Sequence, residues 1–227
     1  MIRSIILSSL VLLGVFTQNH ANPTKSLLHK SCKEVASAKK LLNPVKALEL
    51  NWHCLEQTVK KNHLMMHANS ATDYKQDPEA LYKTVKQVVL PMISVDHMAG
   101  LTLGPKWREA TKTQRAEFIE NFGYMLVRSY SAALLRVSDY EIKFRPLRDD
   151  AWKKSEYIQV NGRLVSKSNN KGSSITYYLR RSGNTWKIYD VSIEGVSFVK
   201  NFAAQFREYP NMKKLLDRLI TVNKRKQ

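Results

Sequence analysis

No run of apolar residues in this 227-residue chain is long enough to cross a bilayer. The stretch from Ile5 to Phe16 comes closest, with 12 residues. It follows Met1-Ile2-Arg3 and leads through polar residues to Ala21, the pattern of a secretory signal peptide cleaved after Ala21. No cysteine directly follows the expected cut, which argues against a lipid-anchored lipoprotein. The expected mature product is therefore exported, soluble and about 206 residues long, enough to bury roughly 70% of its unfolded surface. Acidic residues are scarce, 19 against 37 lysines and arginines, for a net charge of +18. Such a balance often marks nucleic-acid binding. An exported protein meets anionic headgroups and acidic partner surfaces instead, so no nucleic acid is expected. The dense cluster Lys224-Arg225-Lys226 reads as a basic tail.

Cysteine is limited to Cys32 and Cys54. Residues 26–42 and 45–66 both read as helical, with Asn43-Pro44 between them. In such a hairpin the two cysteines come out at similar height, so a Cys32–Cys54 disulfide, worth roughly 3 kcal/mol, stands beside the alternative of two buried thiols. Recognisable catalytic motifs are also missing. His63 and His67 share a helical face, but Leu64 follows His63 where a zincin has glutamate, so no metal site is expected. Gly100 to Lys106 lacks the spacing of a phosphate loop, and Trp107 stands where a magnesium-binding hydroxyl belongs. Asp190 and Glu194 share a strand parity and invite an acid-base reading. No nucleophile elbow, cofactor motif or His-Asp partnership accompanies them, and the plainer role for Glu194 is to help start the helix that follows.

What the chain does contain is organised around Asp77 to Tyr140. Asp77-Pro78-Glu79 starts a helix carrying Leu81, Val85, Val88 and Val89, which Pro91 stops. Thr111 and Gln114 have capping-box spacing. The helix they open, Lys112 to Val137, is about 39 Å long at ~1.5 Å per residue. Phe118, Ile119, Phe122, Met125, Leu126, Tyr130, Ala133, Leu134 and Val137 form its stripe. Gly123 within it marks close approach of another element. Beyond Asp139 the period changes to two, with strands expected at Tyr140–Leu147, Glu156–Ser166, Ser174–Arg181 and Thr185–Glu194. Asn161-Gly162 is a competing hairpin signal in the second. Helices at Ser197–Glu208 and Asn211–Thr221 close the chain. The expected architecture is α+β: a four-stranded antiparallel curved sheet, the long helix across its apolar face, and several flanking helices. Residues 1–21 form the signal, 22–76 an N-terminal helical region ending in a polar linker, and 77–227 the main domain.

Several strings carry a resemblance. They are Val88-Val89-Leu90-Pro91, Leu103-Gly104 with Trp107-Arg108, Ala110-Thr111, Gln114-Arg115, Leu126-Val127-Arg128 with Tyr130, and Trp186 to Ser197 followed by Asn201-Phe202 and Gln205-Phe206. Together they resemble the MlaC, or toluene-tolerance auxiliary, family over roughly residues 77–220. Met92 and Ile93 depart from its pattern, and residues 25–70 match poorly. The resemblance implies a periplasmic phospholipid carrier that is not an enzyme, with acyl chains in a hydrophobic cavity and the lipid as cargo, without a cofactor. Implied partners are an inner-membrane Mla-type ABC transporter complex and an outer-membrane complex of lipoprotein and porin, docked transiently by a monomer.

The large uncharged side chains facing one another across such a fold make Leu90, Ile93, Met98, Leu101, Phe122, Leu126, Tyr130, Ile175, Tyr177, Val191, Val196, Phe198 and Phe202 the expected lining. Two other readings fit the residues. One is a basic periplasmic surface-binding module without a cavity. The other is a small-molecule enzyme on a cone-shaped α+β scaffold, for which Asp190 and Tyr177 are the candidate pair.

Overall fold

The computed structural model describes residues 38, 40–68 and 86–224. Asn43 opens the first helix, α1 (Pro44–Ala68): its side-chain oxygen accepts from Val45 N at 2.9 Å, and Pro44 occupies the first turn. Residues 41–43 ahead of it are not helical, which shortens the expected 26–42 helix at its described end. Leu42 N donates instead to Asn184 O at 2.9 Å, and Trp186 Nε1 donates to Leu42 O at 2.9 Å, so this segment is fixed to a strand hairpin. The expected helix start at Asp77, with Leu81 and Val85, and the linker ahead of it lie outside the described residues. A helical turn over 86–89 runs into a tight turn, Leu90–Met92, with Pro91 in it.

Helices α2 (Val95–Leu103) and α3 (Pro105–Glu109) meet at Gly104, whose φ of +54° suits glycine. The long helix α4 (Lys112–Leu135) starts at a complete capping box between Thr111 and Gln114. It ends two residues before Val137, which belongs to a short turn, Val137–Asp139.

Strands β1 (Tyr140–Phe144), β2 (Tyr157–Ser166), β3 (Gly172–Ser182) and β4 (Thr185–Ile193) form an antiparallel meander. The sheet has five strands, one more than expected. Glu194 (φ +50°) and Gly195 (φ +83°) make a two-residue turn that folds β5 (Val196–Ser197) back onto β4. Asn161-Gly162 is not a hairpin: Gly162 sits inside β2, where a Cβ would come within 3.0 Å of Lys143 O. Two helices follow, α5 (Phe198–Arg207) and α6 (Met212–Lys224).

The apolar residues gather into two main cores. In the helical core, the α4 stripe packs against α2, α5 and α6, with Phe118, Phe122, Phe202 and Phe206 in mutual ring contact at 5.3–5.8 Å. In the other, one sheet face (Val160, Ile175, Tyr177, Leu179) packs against Ala47 and Leu48 of α1. The long helix therefore does not lie across the sheet. The α1 helix takes that place, held by the Leu42–Asn184 and Leu42–Trp186 bonds, while the aromatic stripe of α4 is covered by the matching one on α5. Gly123 packs against Val95 and Leu90, but a Cβ there would meet them at 3.6–4.0 Å, ordinary contact, so the element that its position implied is present without coming close enough to require glycine.

Candidate functional site

The two cores adjoin along β4. Ile93, from the helical core, forms a parallel bridge with Ile188 of the sheet core, and Ser94 N donates to Ile188 O at 2.8 Å. Further along, Val196 pairs with Ile193, and Phe198 begins α5 immediately beyond Ser197. On the sheet side Val191 pairs with Tyr177, and Ile193 with Ile175. On the helix side Tyr130 stacks on Phe198 at 5.0 Å with planes 14° apart. Most side chains along this seam, including Ile93, Tyr130, Ile188, Val191, Ile193 and Phe198, are only half-buried. Burial pushes the Tyr130 and Tyr177 phenols up, so both stay neutral at physiological pH.

Of the expected lining, Ile93, Tyr130 and Phe198 lie against the helical core, Ile175, Tyr177 and Val191 belong to the sheet core, and Val196 is 61% exposed at the sheet's edge. Met98, Phe122, Leu126 and Phe202 are instead packed inside the helical core. Leu90 lies against Val127 in a small separate cluster. Leu101 points outward from α2 and is 44% exposed, because its neighbours Met98, Ala99, Thr102 and Leu103 take the buried face. Sequence reasoning left out Ile188 and Ile193. Both follow the β4 alternation once a register shift opposite Tyr178/Leu179 is included, and that shift has no signal in the sequence.

The reverse side of β4 starts the next helix. Asp190, 8% exposed, accepts from Val191 N (2.8 Å), Ser197 Oγ (2.5 Å) and Val199 N (3.0 Å), while Ser197 caps α5 by accepting from Lys200 N. Its carboxylate is committed to the helix N-terminus, a favourable place for negative charge. Glu194 does not take that part: it accepts from Ser174 N at 2.5 Å and holds its own left-handed turn. Asp190 pairs with Tyr178, so it lies on the face opposite Tyr177, and the pair that an enzyme reading requires is not assembled. The side chains of His63 and His67 lie outside the described residues. Among those described, no group of three His, Cys, Asp or Glu can hold a metal, and no helix is long and apolar enough to cross a membrane. Cys54 is disulfide-bonded; Cys32 lies outside the described residues.

Comparison with known proteins bears on this arrangement. The chain is 29% identical over 136 residues to the toluene tolerance protein Ttg2D of Pseudomonas putida, covering 60% of this chain and 61% of that protein. It is 26% identical over 170 residues to the intermembrane phospholipid transport system binding protein MlaC of Haemophilus influenzae, covering 74% of this chain and 77% of that one. Its fold matches a phospholipid-binding protein from Ralstonia solanacearum, solved in complex with a phospholipid. That match has a TM-score of 0.67 at 19% identity and covers 81% of this chain and 98% of the other. The model of the MlaC protein family matches residues 57–221, taking in the second half of α1, the whole helical core and the strands of the sheet core, and this chain belongs to that family.

Proposed function

We propose that this chain is a periplasmic phospholipid carrier, that it holds acyl chains in the β4 seam, and that it shuttles between inner- and outer-membrane complexes of the Mla type. The observation that carries the reading is the seam itself. Where two cores adjoin, large apolar side chains stay half-buried, in a fold shared with a protein solved with phospholipid bound. Ile93, Tyr130, Tyr177, Val191, Ile193 and Phe198 are the proposed walls, with basic residues near the opening drawing the phosphate. The signal peptide at residues 1–21 and a Cys32–Cys54 disulfide belong to the same reading, since both fit an oxidising compartment.

Magnitudes define what such a carrier does. A diacyl lipid with on the order of 30 methylenes, each worth ~0.8 kcal/mol on burial, would gain more than about 20 kcal/mol against water. That exceeds the usual ceiling on non-covalent affinity. Lipid comes from a membrane or partner that already shelters its chains, so each transfer is nearly balanced. The protein lowers the barrier of the aqueous gap and performs no chemical step. Chain burial is indifferent to the headgroup, so headgroup tolerance is broad.

Native mass spectrometry of mildly purified protein, followed by solvent extraction, tests this. One diacyl phospholipid per chain is expected, retained at high salt and lost in Val191→Trp, which fills the seam. Bare polypeptide mass, with no uptake from vesicles, would refute it and favour a cavity-free surface binder whose attachment weakens with salt.

A further inference from the structure

Among the described residues three large apolar side chains stand exposed, and two of them, Leu101 at 44% and Tyr157 at 45%, lie around one cleft on the solvent face of α2. The cleft measures about 280 Å³ and is lined by Asp96, His97, Gly100, Leu101 and Trp107. It shares no side chain with the β4 seam. Its walls are held in place before anything binds. A Cβ at Gly100 would lie 3.4 Å from the Trp107 indole nitrogen, so glycine lets the indole close over the helix. Arg115 sits over the Trp107 ring at 5.3 Å and donates to Trp107 O at 2.8 Å. The His97 ring lies between Tyr157 at 5.4 Å and Tyr189 at 5.0 Å.

Shape and charge narrow the occupant. A bilayer is met by apolar side chains that protrude, whereas a recess walled by fixed aromatic rings receives an inserted side chain. The surroundings carry more basic than acidic groups. Asp96, the one charged side chain in the lining, is approached by Arg180 at 3.8 Å, Lys187 stands opposite Arg180 on β4, and Arg108 is exposed beside Trp107 with Glu109 next to it. We propose that this cleft docks a partner protein, receiving one apolar side chain from a segment whose neighbouring residues are acidic.

The test is photo-crosslinking from a benzophenone amino acid at position 157 of the full chain in its own host, with linked peptides located by mass spectrometry. The expected result is an adduct to one protein, whose linked peptide carries an aliphatic or aromatic residue beside Asp or Glu. Leu101→Asp should reduce that adduct by roughly tenfold or more, as for a central apolar contact, and Arg180→Glu should also weaken it. Both variants should keep the wild-type melting temperature and lipid content, so a failed carrier reading and a failed docking reading are told apart. No adduct, adducts spread over many proteins, or an adduct indifferent to both variants overturns the proposal. So does flotation with phosphatidylglycerol–phosphatidylethanolamine vesicles that is lost in Leu101→Asp, which would assign the cleft to a bilayer.

Discussion

The helical core and the sheet core use the same kinds of apolar residue to different ends. Around Phe122 four phenylalanine rings meet face to edge or stacked, and Phe118 and Phe122 are fully buried. Along β4 the side chains of Ile188, Val191 and Ile193 are only half-buried where they pack on the sheet core. Close packing in the first region supplies stability, because every removed methylene leaves a void. Partial exposure in the second is what the proposed carrier reading needs, since it leaves apolar surface that a ligand would cover.

Mutations should separate these roles. Phe122→Ala removes the ring at the centre of the helical core and should cost about 3–5 kcal/mol, read from urea unfolding. Asp190→Ala comes next. It strips three donors of a buried acceptor and loosens the start of α5, for a loss of about 2–3 kcal/mol. Asp190→Asn should retain lipid in whatever fraction folds; a lipid-loaded Asn variant that lost a measurable turnover would revive an enzyme. Ile193→Ala, half-buried at the seam, should cost no more than the lower end of the ~2–5 kcal/mol of a buried Ile→Ala change while lowering lipid retention more than Phe122→Ala does per folded molecule. If Ile193→Ala proved as destabilising as Phe122→Ala, the seam would be ordinary core.

This division explains what the sequence could convey. Local signals read correctly: the Thr111–Gln114 capping box and the alternation of Ile175, Tyr177 and Leu179 both appear in the structure. Those features depend on neighbours within a few residues. The partner of each apolar face does not. The α4 stripe shows that something packs on Phe118, Phe122 and Leu126, but periodicity cannot say whether it is the sheet or α5. Packed and ligand-facing walls also require the same residues, so the sequence cannot tell that Phe122 is fully buried and Val191 only half-buried. Leu101 and Leu103 differ only in which way α2 is turned, and that depends on contacts distant in sequence.

The attachment of α1 to the sheet half has an electrostatic component that the helical half does not need. Glu56 on α1 lies 3.0 Å from Lys60 and 3.3 Å from Lys167 beside the β2–β3 turn. Burial pushes its carboxyl up, but the hydrogen bonds from the two lysines outweigh that and hold the pKa below its ordinary value. The folded pKa is thus lower than the unfolded one. The contribution is complete above the unfolded value, about 4.3, and disappears as pH falls through the folded value. Wild-type protein should therefore lose more stability between about pH 5 and pH 3 than Glu56→Gln, by a small margin because exposed lysines are screened. Equal acid slopes in urea titrations would show that the Glu56 ion pairs add nothing to the attachment of α1.

The smallest expected effect has the opposite sign. Gly123 is buried in the middle of α4, where glycine costs up to about 1 kcal/mol relative to alanine. A methyl group there would meet Val95 Cγ1 at 3.6 Å and the Leu90 methyls at 3.9 and 4.0 Å, all ordinary van der Waals contact. Gly123→Ala should therefore be neutral or stabilising by up to about 1 kcal/mol, with a higher urea midpoint and an unchanged m-value. Because Leu90 and Val95 flank Ile93 in the chain, the same variant reports on how rigidly the helical side of the seam is held. A stabilised Gly123→Ala protein that takes up lipid at the wild-type rate would mean that α4 can be stiffened without closing the seam. A stabilised but slower one would mean that loading requires α4 and the 90–95 segment to part, and that glycine is retained to let them.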